Sequence, residues 1–231
     1  TEDLWAALQE TATREGLAAL AGVRLPVAVS GLSSALSLMV PLSPDVAAQV
    51  AAGRAPTMLY YQHYRTANAL LDRAAFLLAG TLADRGYRAL PIPASQTVDR
   101  AEQAGAFPHK TAAASAGLGW IGRHALLVTE RYGPRVRLAT VLTDLPCPDP
   151  PARVTARCGD CRACVEACPA GAIKGAAWAP GTARSALVDA RACLDYMRAH
   201  FGAVGRGSVC GVCMAICPGQ ACLPSAEREG G

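Results

Sequence analysis

Ten cysteines, none of them in the first 146 residues, constrain this 231-residue chain more than any other feature. Nine fall between Cys147 and Cys217, and the tenth, Cys222, follows shortly after. A secreted fold stapled by disulfides spreads its cysteines through a short chain. Here they crowd into one end, which points to metal ligation and to a reducing, cytoplasmic setting. The proline-rich stretch from Pro146 to Pro151 reads as the boundary, dividing the chain into 1–146 and 147–231.

Within the second part, Cys158-Gly-Asp-Cys161-Arg-Ala-Cys164-Val-Glu-Ala-Cys168-Pro169 has the spacing C-x2-C-x2-C-x3-C-P. In bacterial ferredoxins the first three thiolates of such a run hold one 4Fe-4S cluster and the fourth reaches a second cluster. A degenerate second half follows in Cys193, Cys210-Gly-Val-Cys213 and Cys217-Pro218, with 16 residues separating Cys193 from Cys210. The cross-over rule then gives one cluster on Cys158, Cys161, Cys164 and Cys217, and another on Cys168, Cys193, Cys210 and Cys213. Structural zinc is the competing reading, but a four-cysteine run this tight crowds a single tetrahedral ion. Cys147 and Cys222 are surplus and read as small buried hydrophobes.

A two-cluster module needs far fewer residues than this chain has, so 1–146 must supply a substrate site or a docking surface. With 52% hydrophobic and 17% charged residues the chain is too apolar for disorder and long enough for a sizeable core. Net charge is +4, divided as +3 before Cys158 (15 basic, 12 acidic) and +1 from it onward (7 basic, 6 acidic). Neither half carries the bulk positive charge of a nucleic-acid binder. No apolar run reaches membrane-spanning length, and the start of the chain has no leader pattern, so no membrane partner is expected.

Hydrophobic periodicity predicts a helix over 2–21, strands over 27–29 and 36–42, and a helix from Ser43-Pro44 to Gly53. A long helix over 57–85, a strand over 87–92, a loop over 93–108 and a short helix over 110–116 follow. Strands over 124–129 and 136–143 flank a turn at 130–134 and read as a hairpin. Mixed helices and strands with a hairpin favour an α+β class or a mixed three-layer sheet over a purely parallel one.

The most informative stretch before the cysteines is His109-Lys110-Thr111, leading into Ala116-Gly117-Leu118-Gly119-Trp120-Ile121-Gly122-Arg123-His124. Its glycines alone indicate a tight turn with Trp120 in the core, since a phosphate loop would also carry a lysine and a hydroxyl. His109 is of a residue type whose ordinary pKa suits proton delivery near neutrality. His63, between Tyr61 and Tyr64, reads as a core or supporting group. Tyr60, Tyr61 and Tyr64 read as packing that also suits a flat cofactor.

Together with the hairpin ending Val141-Leu142-Thr143-Asp144 and the two-cluster pattern, this stretch resembles epoxyqueuosine reductase, a family sharing its catalytic core with corrinoid-dependent reductive dehalogenases. The resemblance is specific from His109 to Pro218 and fainter around Tyr61-Gln62-His63. It implies a flavin-reductase-like α+β domain joined to a C-terminal ferredoxin-like domain with two 4Fe-4S clusters. It further implies a cobamide bound against Gly117, Leu118, Gly119, Trp120 and Gly122, with His124 approaching the corrinoid. Electrons from a donor such as ferredoxin or flavodoxin pass through the clusters to cobalt, and the family's substrate is the epoxide of a modified tRNA nucleoside.

Two departures bear on the substrate. The family's acidic residue, in an F-V-D stretch upstream of G-L-G-W, aligns without a gap on Gln103; Glu102 is beside it and Asp99 four residues earlier. The family's C-terminal helical extension that holds tRNA has no counterpart in the 14 residues after Cys217. Asp99 and His109 are therefore the candidate acids, and a small-molecule or modified-nucleoside substrate is expected in place of tRNA. Two other readings stand beside a reductase: an electron carrier or activator, and a corrinoid-binding or processing protein.

Overall fold

Leucine and alanine at helical spacing open the chain as α1 (Glu2–Arg14), which buries Leu4, Leu8 and Ala12. The computed structural model describes residues 2–99, 101, 103–150 and 156–219. The first helix stops a full two turns short of the expected end. Gly16 lies in the left-handed region and Leu17 N–H bonds back to the Ala12 carbonyl, closing the helix. From Ala19 the chain is strand β1 (Ala19–Val29), which turns at Ser30-Gly31 into β2 (Leu32–Pro41). Leu20 thus follows the helical period of α1 but is buried from a strand.

Helix α2 (Pro44–Gly53) begins at the Ser43-Pro44 signal, and α3 (Met58–Ala83) begins at Thr57, whose hydroxyl accepts from Tyr60 N–H at 3.0 Å. His63 Nε2 accepts from Ser43 N–H at 2.9 Å, which fixes the start of α2 to α3. Then come β3 (Ala89–Ile92), α4 (His109–Ser115), β4 (Trp120–Ile121), β5 (Leu127–Val128) and β6 (Val136–Thr143). The cysteine-rich half contributes α5 (Ala163–Glu166), α6 (Arg184–Leu187), α7 (Ala190–His200) and α8 (Val212–Ile216).

The main sheet runs β1-β2-β6-β3, and every neighbouring pair is antiparallel, so the expected mixed sheet is instead antiparallel throughout. The hairpin expected between β5 and β6 is also absent. β5 pairs with β4 in a separate ribbon, while β6 enters the sheet between β2 and β3. Its sequence explains the switch: all six residues from Leu138 to Thr143 are buried, so β6 needs cover on both faces. One face, with Leu36, Leu38 and Val141, packs under α1, α2 and α3. The other, with Ala35, Leu142 and Met39, packs against α4 and the β4-β5 ribbon. The result is an α+β arrangement in three layers.

The core does not break at residue 146. Ala167, Val209, Val212 and Met214 join the cluster formed by α1, α2 and α3, and Trp178 and Leu187 join the cluster under α4. Among the described residues, no helix is long and apolar enough to cross a membrane.

Candidate functional site

The tight cysteine spacing winds into short turns. Cys161 N–H bonds to the Cys158 carbonyl, α5 carries Cys164, and Ala172 N–H donates to the Cys168 sulfur at 3.3 Å. Cys193 sits on α7, and Cys210 and Cys213 flank Gly211 at the start of α8. Gly211 has φ +80, and a Cβ there would lie 2.7 Å from the Tyr60 ring, so only glycine fits. Cys217 closes α8.

The thiols fall into two electrostatic groups. Cys217 feels Cys164, Cys158 and Cys161, whereas Cys193 feels Cys210 and Cys168, and Cys213 feels Cys210, Cys193 and Cys168. Cys213 also feels Cys164, so the groups adjoin. Burial, reinforced by neighbouring thiols, pushes Cys164, Cys193 and Cys217 up to about 11 each, and Cys213 higher still. Four thiolates gathered in so dry a place are unfavourable unless cations lie among them, which is the condition that iron–sulfur ligation meets. Among the described residues, no three His, Cys, Asp or Glu side chains close on a single metal ion.

Cys168, Cys193, Cys210 and Cys213 line a cavity of about 970 Å3, and none of the other four cluster candidates reaches it. A recess of about 620 Å3 shares Tyr60, Gln103, Lys110, Leu126 and Cys213 with the cavity and continues under the 93–108 loop. The larger volume is at the upper end for small-molecule sites and accommodates a bulky cofactor.

Helix α3 presents Tyr60, Tyr64 and Asn68, four residues apart, along one face. Burial raises the Tyr60 pKa well above the ordinary phenol value despite the opposing charge of Arg137, so its hydroxyl stays protonated. On β6, Arg137 stacks 4.2 Å from the Tyr64 ring centroid and donates to Asn68 Oδ1 (2.9 Å) and the Tyr64 hydroxyl (3.1 Å). Burial, with repulsion from Arg184 and Arg137, brings Lys110 down to about 8. Burial and then the Lys110 charge hold His124 at about 4; its Nδ1 accepts from Leu126 N–H at 3.2 Å, leaving the proton on Nε2.

Of the residues that the sequence assigns to the cobamide, only His124 lines the cavity. Gly117, Leu118, Gly119, Trp120 and Gly122 line neither space. Their turn packs inward: Trp120 is buried, and a Cβ on Gly119 would lie 2.1 Å from the Val128 carbonyl oxygen. The turn does reach the cysteines through Arg123, which donates to the carbonyls of Gly159 (2.6 Å) and Gly175.

Both nitrogens of His109 are engaged. Nε2–H donates to the Pro93 carbonyl (3.0 Å) and Nδ1 accepts from the Thr140 hydroxyl (2.7 Å), while burial lowers its pKa. It clamps the start of the 93–108 loop. Asp99 is exposed and off the cavity wall; its backbone pairs with Ala104 and its Oδ1 accepts from Ala101 N–H at 2.9 Å. Gln103, with φ +50, lines both spaces. The Cys147 sulfur and the Trp5 ring both lie against Gly22, and burial raises the Cys147 pKa. Glu102 and Cys222 lie outside the described residues.

Sequence reasoning missed Arg137 and Arg184. Arg137 had a signal: it is the single charged residue in the otherwise apolar or hydroxylic strand Val136–Thr143. Arg184 had none, because only the fold brings α6 to the recess.

Residues 157–220 match the family described as "4Fe-4S double cluster binding domain". The chain is similar to the epoxyqueuosine reductase of Synechococcus sp. (strain CC9605), with 32% identity over 170 residues, 68% of this chain and 46% of that protein. It therefore spans about half the length of that curated relative. Its fold is similar to that of the catabolic reductive dehalogenase NpRdhA, at TM-score 0.70 and 21% identity, covering 92% of this chain and 31% of that one. It is also similar to an epoxyqueuosine reductase solved with an epoxyqueuosine-modified tRNA stem loop, at TM-score 0.57 and 18% identity, covering 94% and 65%.

Proposed function

The chain is epoxyqueuosine reductase-like and carries a 4Fe-4S double cluster binding domain, and on that premise we propose that it is a cobamide-dependent iron–sulfur reductase of a small or nucleoside-like substrate. One observation carries the reading: of the two thiol groups, one lines the large cavity and the other does not. Cys158, Cys161, Cys164 and Cys217 hold an outer cluster that accepts electrons from a small donor such as ferredoxin or flavodoxin. Cys168, Cys193, Cys210 and Cys213 hold the inner cluster at the cavity wall. Adjoining cubanes supply one-electron relay.

A cobamide supplies a strongly reducing metal centre when bound. Tyr60, Tyr64, His124 and Leu126 form the wall that would hold it, and the Gly117–Gly122 turn supports that wall from behind. His124, neutral and fixed by Leu126, adds no charge there. Tyr60 keeps its proton and offers a donor at the junction of cavity and recess. The 93–108 loop covers the recess, contributes Gln103, and carries Asp99, the carboxylic acid that the sequence singles out. The reducing setting that the thiols require is cytoplasmic.

Anaerobic reconstitution tests the reading. About eight iron and eight sulfide per chain are expected for two cubanes, together with a change in the visible spectrum when cobalamin is added. Zinc without labile sulfide overturns the iron–sulfur part. A spectrum of the mixture equal to the sum of the separate protein and cobalamin spectra overturns the cobamide part.

A further inference from the structure

The cavity and its recess are lined by Lys110, Arg137, Arg184, Arg191 and Arg198, and by no aspartate or glutamate among the described residues. That balance is unusual in a chain with 22 basic and 18 acidic residues. Arg191 is accounted for by Asp195 on its own helix, at 2.9 Å. The other side of the recess is different. Arg137 is held by an amide oxygen, a phenol and the Ala94 carbonyl, all of them neutral, and lies against the face of Tyr64. Lys110 stands in a desolvated position within the fields of both Arg137 and Arg184.

Taking like charges partly out of water side by side is costly, and Lys110 and Arg137 are both half-buried. Neutralising the thiolates accounts for only part of this arrangement. Lys110 feels Cys213, but the field of Arg137 falls on Tyr60, Tyr64, His109 and Lys110. Phe107, Trp178 and Leu127 give part of the remaining wall of the recess an apolar face.

We propose that the recess binds an organic anion, its carboxylate or phosphate seated between Lys110 and Arg137 and its apolar body against Phe107, Trp178 and Leu127. This deepens the proposed function by giving the class of group that enters beside the inner cysteines, and it rests on that reading only for calling the anion a substrate. A second source of the same chemistry is the phosphate of a cobamide.

The test uses anaerobically reconstituted full chain and three probes of similar size: phenyl phosphate, benzoate and the neutral benzyl alcohol. Calorimetric titration is expected to show one-to-one binding of at least one anion, ten-fold or more tighter than benzyl alcohol. Lys110→Gln is expected to weaken the anion ten-fold at unchanged iron content, and Lys110→Arg to restore it. Equal binding of neutral and anionic probes, or no anion binding by the wild-type chain, overturns the proposal even where the variants fail to fold. So does a Lys110→Gln chain that loses iron while its anion affinity stays the same. Repeating the titration with cobalamin present separates the sources: persistent binding assigns the site to substrate, and displacement assigns it to the cofactor phosphate. Iron and sulfide content, read on the same samples, reports failure of the iron–sulfur reading independently.

Discussion

A histidine sealed beside a lysine sets how this fold responds to acid. His124 titrates near 4 in the folded chain, against an ordinary value of 6.5, because burial and then Lys110 disfavour its charge. The unfolded chain therefore binds that proton more readily than the folded one. Stability from this group is complete above pH 6.5 and is lost as pH falls toward 4. Between pH 7 and pH 5 the loss is about 2 kcal/mol. Unfolding free energies from urea titrations at the two pH values, for wild type and His124→Gln, are expected to differ in their shift by that amount; equal shifts would mean that folding leaves the His124 pKa unmoved. Backbone constraint acts at the same scale. Gly119→Ala drives a Cβ to 2.1 Å from the Val128 carbonyl oxygen and is expected to cost about 4 kcal/mol or more. Gly117→Ala, at φ +81 with open space around it, is expected to cost only about 1–2 kcal/mol. Thermal midpoints of the two variants check the contrast.

Between residues and fold stand the elements that deliver them. Helix α8 carries Cys213 and is closed by Cys217, and so delivers one thiol toward each group. Cys217→Ala is expected to remove about four of the eight iron atoms, while Cys147→Ser and Cys222→Ser leave iron content unchanged; retention of both clusters in Cys217→Ala would refute the crossed ligand sets. The 93–108 loop carries a second expectation. Gln103 faces the cavity while the Asp99 carboxylate caps Ala101 on the outer turn. A missing positioned acid costs roughly a hundredfold or more in epoxide opening. Weak reduction of an epoxyqueuosine-modified stem loop is therefore expected, and robust turnover abolished by Asp99→Asn would overturn it. Elements of this kind were unevenly legible in the sequence. α2, α3 and α4 announced themselves because caps, proline and apolar spacing are local. β5 and β6 did not, because which strand each pairs with depends on what covers both faces of β6. The glycine turn was legible as a turn but not as the support of the cysteine loops, since the Arg123 bonds to Gly159 and Gly175 span 36 and 52 residues.

At the scale of the whole molecule, the cysteine-rich half is part of the core that the first half needs. Val212 is fully buried against the cluster under α3, Met214 and Val209 nearly so, and Trp178 and Leu187 complete the cluster beneath α4. A buried side chain of this size contributes about 1.5–3 kcal/mol, so removing Val212, Met214, Trp178 and Leu187 together forfeits on the order of 6–12 kcal/mol. That matches the entire stability of an ordinary domain, about 5–15 kcal/mol. Tyr60 and Tyr61 would also lose the glycines they pack on, Gly211 and Gly205. A chain ending at residue 146 is therefore expected to show no cooperative unfolding, although the main sheet and its helices all lie within it. The same coupling runs in reverse: whatever holds the thiols together stabilises α3. Chelating iron from the full chain is expected to lower the midpoint followed by helical circular dichroism, a signal to which the 26-residue α3 contributes more than any other described helix. If residues 1–146 unfolded cooperatively with a native-like midpoint, or if iron removal left the α3 signal unmoved, the two halves would be independent. Ligand binding at the cavity would then lack the mechanical link to the cysteines that the shared core provides.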